Sequence, residues 1–270
     1  MPQPHRRDGP VWDPRSHSPI WYFAYGSNMS SRTMCRRNLH PLATAAVTCP
    51  SHHLTFDVFG MPFSEPSMAS ISLLPDHGTK RIRLSTGPSD ESIEVPCVAG
   101  AAYLLSPQEF RSLIISEGSG IAYRLEKVHL ERLHCESKTD RWIEGVAFVA
   151  KWPLRPHPLP SARYADLLLE GARELDLPKA YLNFLEEHPR YEGAAQTWLG
   201  GSWVFAWIWR PFLGRVVRMK YWWVNEEGNC PRWIAWLVVS LYRLMWWYHD
   251  VVHASVFVPG DGGKILESVE

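Results

Sequence analysis

A mixed α+β fold is the class this 270-residue chain predicts. Short apolar or alternating runs that read as strands fill residues 21 to 150, while most of the clear helical patterns follow them. The two kinds of element do not alternate as regular βαβ units, and no internal repeat or long low-complexity tract is present.

The first strand, "WYFAY" at residues 21–25, is an aromatic run that stops on Gly26-Ser27-Asn28. The polar "SSRTMCRRN" behind it is compatible with a short helix. "HLTFDVFG" alternates, putting Leu54, Phe56 and Val58 on one face of a strand that ends at Gly60. "MASISLL" is a further short strand, and residues 75–94, rich in Gly, Ser and Asp, read as a long loop. "CVAGAAYLL" reads as a strand whose small residues permit close packing. It leads into "SPQEFRSLIISEG", where Ser106 can cap a helix, Pro107 takes its first position and Glu109 completes a capping box; the helix should end near Gly118. "AYRLEKVHLERL" and "WIEGVAFVA" make a strand pair joined by the charged turn "HCESKTDR". The Pro-rich "WPLRPHPLPSARY" then crosses over to two helices. The first carries Tyr164, Leu167, Leu168 and Leu175, and the second ends before Pro189.

Composition narrows the function. Lys plus Arg balances Asp plus Glu at 28 each, so no basic excess exists to neutralise phosphates, and nucleic acid is not an expected partner. The five cysteines are odd in number and scattered, without CxxC or zinc spacing, and read as free thiols of a reducing, cytoplasmic compartment. The N-terminus has charges and prolines but no apolar core, so it reads as a disordered lead-in over residues 1–20 rather than a secretory signal.

Residues 193–270 differ from the unit at 21–192. Ten of the 14 tryptophans lie between Trp198 and Trp247, and residues 198–258 hold six Arg/Lys against three Asp/Glu. Two runs here are apolar nearly all round, which predicts a helical extension. The second is interrupted by Arg243 after ten residues, short of the ~20 that span a bilayer. Such helices can pack on the main domain or a partner, lie in a membrane interface through Trp and Arg, or span. A peripheral membrane or protein contact through residues 198–258 is therefore an expected partner role.

The Gly26-Ser27-Asn28 turn admits two readings. Successive backbone N–H groups in a tight turn before a helix form a concave anion site that suits a small carboxylate. Alternatively, Ser27 or Asn28 merely caps the helix. Glu117, after the apolar "LIIS" and before "GSG", is on its own an exposed helix-end carboxylate or a buried acid–base group. "HDVVH", His249 to His253, imitates a zinc motif but carries Asp in place of the catalytic Glu, so surface or interfacial histidines are expected there and metal is not. His52 and His53 are adjacent on a strand and point to opposite faces. Cys35 beside Arg36 and Arg37 is a reactive or an idle thiol.

"YFAYGSNM" resembles the signature opening of the γ-glutamylcyclotransferases, in which Tyr-Gly-Ser-Asn follows the first strand. "VAGAAYLLSPQEFRSLIISEG" is similar to that family's strand–helix unit, and "PLPSARYADLLLEGARELDLPKAYLNFLEEH" to its Pro-rich crossover and following helices. The resemblance covers about residues 21–192 and omits the Trp-rich extension; extended members resemble the fungal cyclotransferases of gliotoxin-type sulfur metabolism. It implies a small mixed β-barrel flanked by helices. It further implies a catalytic Glu117 and a glutamyl-binding set of Tyr25, Gly26, Ser27, Asn28 and Tyr123.

The implied reaction turns a γ-glutamyl amide into 5-oxoproline and a free amine. The substrate's own amino group closes the ring, so the chemistry asks for proximity and one proton-shuttling carboxylate, with no cofactor and no metal. Burial of Glu117 would suit it to that shuttle. The substrate is a small γ-glutamyl peptide, glutathione, a glutathione conjugate, or a γ-glutamylamine. The competing reading is an inactive scaffold that binds a membrane or partner through the aromatic extension.

Overall fold

The computed structural model describes residues 11–74, 80–84, 92–135, 140–193, 201–257 and 259–269, with 80–84, 92–93 and 264–269 described by backbone alone. The first ten residues of the expected lead-in, most of the expected 75–94 loop, the tip of the charged turn and Trp198 lie outside the described residues.

In chain order the strands are β1 (Ile20–Ala24), β2 (Ala43–Met61), β3 (Glu65–Leu73), β4 (Lys80–Leu84), β5 (Ser92–Glu94), β6 (Cys97–Leu105), β7 (Tyr123–Arg132), β8 (Trp142–Ala150), β9 (His157–Pro158) and β10 (Lys264–Val269). The helices are α1 (Ser31–Arg36), α2 (Pro107–Ser116), α3 (Ala162–Glu174), α4 (Lys179–Glu187), α5 (Gly201–Met219) and α6 (Arg232–Tyr248).

The main sheet runs β3-β2-β6-β1-β8-β7, and a further β2–β7 pairing closes its last five strands into a barrel. β1 is antiparallel to β6 and parallel to β8, so the expected mixed barrel is present. The small residues of β6 have a physical cause: a Cβ on Gly100 would lie 2.2 Å from the Ala24 carbonyl oxygen, so strand β1 approaches that backbone directly. β7 and β8 pair in continuous antiparallel register from Tyr123↔Ala150 to Glu131↔Trp142.

The barrel interior and helices α3 and α4 share one core around Phe23, Leu54, Phe56, Leu168 and Tyr181. A second core lies where α2 covers the barrel's outside at Tyr22, Phe110, Leu113 and Phe148. Trp12 joins it, edge-on to Phe110 with ring centroids 5.4 Å apart, so the lead-in is not loose throughout. Helix α2 begins as its residues dictate: Ser106 and Glu109 form a reciprocal capping box and Pro107 opens the first turn.

Three expectations need correction. β2 is 19 residues long and starts at Ala43, because its first half pairs with β6 and its second with β3, with register shifts at Cys49/His53 and Thr55/Val58. The 75–94 segment contains β4 and β5, which join β10 and β9 in a second sheet. The extension is not wholly helical, because its chain ends in β10, whose antiparallel partner β4 lies far upstream.

Helices α5 and α6 pack together on the tip of the β2–β3 hairpin. Phe205, Trp209, Leu213, Met245 and Trp246 form a cluster against Phe59, Met61 and Phe63. Burying each of these large side chains stabilises the contact by about 2 to 3 kcal/mol. The Trp246 indole N–H donates to the Gly60 carbonyl at 3.1 Å, and the Phe63 N–H to that of Gly260 at 2.7 Å. Among the described residues no helix is long and apolar enough to cross a membrane.

Candidate active site

Strand β1 delivers Tyr25 and then Gly26, and residues Ser27–Met29 form one 3-10 turn closed by the Met29 N–H on the Gly26 carbonyl at 2.9 Å. Neither Ser27 nor Asn28 caps a helix: the start of α1 is held instead by Glu174, which accepts the Ser31 N–H at 2.9 Å. The Asn28 side chain is thus free for a distant partner. Its Nδ2 donates to the Tyr22 hydroxyl at 2.9 Å and to Glu117 Oε1 at 3.0 Å, across 89 residues of sequence. Asn28 is 4% exposed, and among the described residues no donor reaches its Oδ1. A buried amide oxygen without a donor costs free energy.

Glu117 is the residue that ends α2. Its Oε1 also pairs with the Arg37 guanidinium at 2.9 Å, and its side chain is 17% exposed. The acid is therefore gripped by an amide and a cation, rather than enclosed by apolar residues alone. The following residues, Gly118, Ser119 and Gly120, have φ of 99°, 52° and 73°. Such left-handed backbone favours glycine. A Cβ on Gly118 would meet nothing within 4 Å, so the carboxylate's neighbour on this side is open.

Tyrosines surround this pair. The Tyr25 hydroxyl donates to the Phe148 carbonyl and the Tyr123 hydroxyl to the Ala69 carbonyl at 3.1 Å. Tyr164 accepts the Ala69 N–H at 3.2 Å, and a Cβ on Gly26 would sit 3.1 Å from its hydroxyl. Burial raises the pKa of Tyr22, Tyr25 and Tyr123, and the nearby Glu117 charge adds to it. Burial likewise pushes Tyr164 up to about 12. All four are neutral phenols at ordinary pH.

The structure therefore brings Asn28 into contact with Glu117. Tyr25, Gly26 and Tyr123 lie around them, and half-buried Ser27 stands at the turn's start. Sequence reasoning missed Tyr22, Arg37 and Tyr164, although "CRRN" and the crossover Tyr were both in view. It also missed Lys220, which is 4% exposed and donates from Nζ to the Ile115 carbonyl at 3.0 Å. Burial lowers the pKa of this ammonium, and the Glu117 charge works in the opposite direction.

Lys220 belongs to a brace from the extension. Arg111 donates to the Glu226 and Asn225 carbonyls at 2.7 and 3.0 Å, and the Cys230 N–H donates to the Ser119 carbonyl at 3.0 Å. The end of α2 that carries Glu117 is thus stitched to residues 220–230.

The remaining candidates resolve differently. His249 and His253 are buried, not at the surface. His249 Nδ1 lies 2.8 Å from Asp250 and its Nε2 accepts the Gly260 N–H at 2.9 Å, while His253 Nε2 meets the Gly201 carbonyl at 3.0 Å. His249, Asp250 and Asp261 place ligand atoms within 4.8 Å of one another, but hydrogen bonds already engage both imidazole nitrogens of His249. His52 and His53 are also buried, and Cys35 is exposed.

Comparison with known proteins places the chain among related sequences. Residues 195–256 match the family model described as the AclK C-terminal domain. The gamma-glutamyl cyclotransferase gliK of Aspergillus fumigatus is 40% identical over 253 residues, covering 92% of each chain. The gamma-glutamyl cyclotransferase aclK of Aspergillus oryzae is 31% identical and covers 94% of each. A solved structure titled gamma-glutamyl cyclotransferase is 18% identical with a TM-score of 0.47, covering 66% of this chain and 92% of its own.

Proposed function

The chain belongs to the γ-glutamyl cyclotransferase family, and from that premise we propose that it converts a γ-glutamyl amide into 5-oxoproline and a free amine. The catalytic unit is residues 21–192. The substrate's α-nitrogen attacks its own γ-carbonyl, a new C–N bond closes the five-membered ring, and the amide bond to the leaving amine breaks. Glu117 takes the proton from the attacking nitrogen and returns it to the departing one. The 26–28 turn holds the glutamyl end, its N–H groups steadying the carboxylate and the developing oxyanion. Asn28 Oδ1 accepts from the α-ammonium while its Nδ2 keeps Glu117 beside that nitrogen. Tyr25 and Tyr123, tied to main-chain carbonyls, form the wall.

The observation that carries this reading is the Asn28–Glu117 hydrogen bond together with the partnerless Oδ1. Its test is 5-oxoproline release from γ-glutamyl-alanine and from a glutathione S-conjugate, by the wild type and by Asn28→Ala. Release by the wild type and a loss of about tenfold or more in the variant are expected. No release from either substrate by a folded wild type, or undiminished release by the variant, contradicts it. The proposed setting is gliotoxin-type sulfur secondary metabolism with a glutathione adduct as substrate, a reading supported by likeness to gamma-glutamyl cyclotransferases of two Aspergillus fungi. Five unbridged cysteines support a cytoplasmic location.

The extension (193–270) supports a second, compatible role as a peripheral membrane contact. Trp203, Trp207, Trp222, Trp236 and Trp247 are each more than half exposed, and α5 and α6 carry five arginines with no Asp or Glu. Aromatic residues with arginine suit an anionic lipid interface. Co-sedimentation with anionic but not neutral vesicles is the expected result. Failure to sediment, with dimerisation or capture of a protein instead, overturns the lipid role.

A further inference from the structure

A cavity of about 390 Å³ lies between the barrel and the extension, in the size range of small-molecule sites. It begins at Gly120, three residues beyond Glu117, and Tyr123 stands at its border. Tyr123 thus turns one side to this cavity and its hydroxyl to Ala69, among the tyrosines around Glu117. The far wall comes from the extension, at Asn229, Cys230, Arg232 and Ala235.

The lining has two characters. Trp12, Leu125 and Phe148 give it an apolar side. Lys151 and Arg232 give it cations: the Lys151 ammonium donates to the Gly120 carbonyl, and Arg232 stands exposed at the first residue of α6. Of the other charged lining residues, Arg124 is paired with Glu126, and the acid Glu227 accepts from the Asn229 side chain at 3.4 Å. An apolar side with convergent cations suits an amine that carries a bulky apolar group and a carboxylate.

We propose that this cavity is the subsite for the leaving amine, so that the extension, and not the barrel alone, selects the substrate. Resting on the cyclotransferase reading, it assigns the apolar side to an S-linked substituent and Arg232 to the terminal carboxylate of an S-substituted cysteinylglycine unit. Small leaving amines such as alanine do not reach it.

The test has a binding arm and a turnover arm. Calorimetry measures S-(4-nitrobenzyl)-cysteinylglycine, the amine product, on the full chain and on Arg232→Glu and Ala235→Trp. Arg232→Glu reverses a charge at an exposed helix start, where an acid is tolerated; Ala235→Trp fills the space. Binding by the wild type, weakened about tenfold or more by each variant, is expected. In parallel, the ratio of kcat/KM for S-(4-nitrobenzyl)glutathione to that for γ-glutamyl-alanine should fall about tenfold in both variants. Absence of product binding, equal binding by wild type and variants, or an unchanged substrate ratio overturns the subsite. If no substrate yields 5-oxoproline, the cyclotransferase reading fails, and the binding arm still decides whether the cavity takes this amine.

Discussion

The barrel and the extension use their aromatic residues in opposite ways. In the barrel unit, Phe23 and Phe56 are sealed in the interior and Phe110 under α2, while buried Tyr25 and half-buried Tyr123 bond main-chain carbonyls and Tyr22 meets the Asn28 side chain. In the extension, Phe205, Trp209 and Trp246 face the β2–β3 hairpin, while Trp203, Trp222 and Trp236 face outward at 69%, 81% and 72% exposure. One region spends its aromatics on shaping a site. The other divides them between docking and an open face. The lesson is that the candidate acid belongs to the barrel by sequence, yet its helix end is held by the extension.

Four experiments can break or sharpen that contrast. The largest stability effect is expected inside the barrel unit, at His188, which packs against Phe56 and Phe184. Burial pushes its imidazole down to about 4 from 6.5. Above pH 6.5 it is neutral in both folded and unfolded chains. Between 6.5 and 4 only the unfolded chain takes the proton, so stability falls as pH drops through that window, by about 3 kcal/mol at its end. Urea denaturation of His188→Phe should show a flatter slope over that range; an unchanged slope would assign acid sensitivity elsewhere.

Next is Lys220→Met, which removes the ammonium from the Ile115 carbonyl without opening the core. If the extension positions Glu117, kcat should fall about tenfold while KM for γ-glutamyl-alanine holds. A rise in KM alone would place Lys220 in substrate binding instead. Trp246→Phe deletes the bond to the Gly60 carbonyl and should cost about 1 kcal/mol in thermal or denaturant unfolding; no change would mean that packing alone docks α6. Trp236→Ser should alter stability by no more than about 0.5 kcal/mol yet reduce sedimentation with anionic vesicles. A large loss of stability would show that this face is covered.

Much of the barrel was legible because its signals are local. The alternation in β7 and β8 and the capping box of α2 lie within single short windows, and the 26–28 turn announces itself by residue type. What escaped depends on distant partners. β4 reads as polar loop because its ladder is completed by β10, where Ile265 pairs with Leu84. Arg37 sits in a basic pair that suggests an altered thiol at Cys35, and only folding carries it to Glu117. The histidines of "HDVVH" close a run apolar nearly all round, where periodicity cannot say which face is inside, and Lys220 stands among arginines in "GRVVRMKYWW", where a cation reads as exposed. Their burial is decided by the hairpin tip and the end of α2.

The central claim is that Glu117, gripped by Asn28 and Arg37, moves the proton that lets a γ-glutamyl amide close on itself. The most direct measurement is 5-oxoproline release from γ-glutamyl-alanine by the wild type and by Glu117→Gln, with thermal unfolding of both. Glutamine keeps the shape and can still meet Arg37 through its amide oxygen, but it cannot shuttle a proton. The account predicts release by the wild type and a loss of about a thousandfold in the variant at a similar melting temperature. A folded Glu117→Gln that retains wild-type turnover would contradict it.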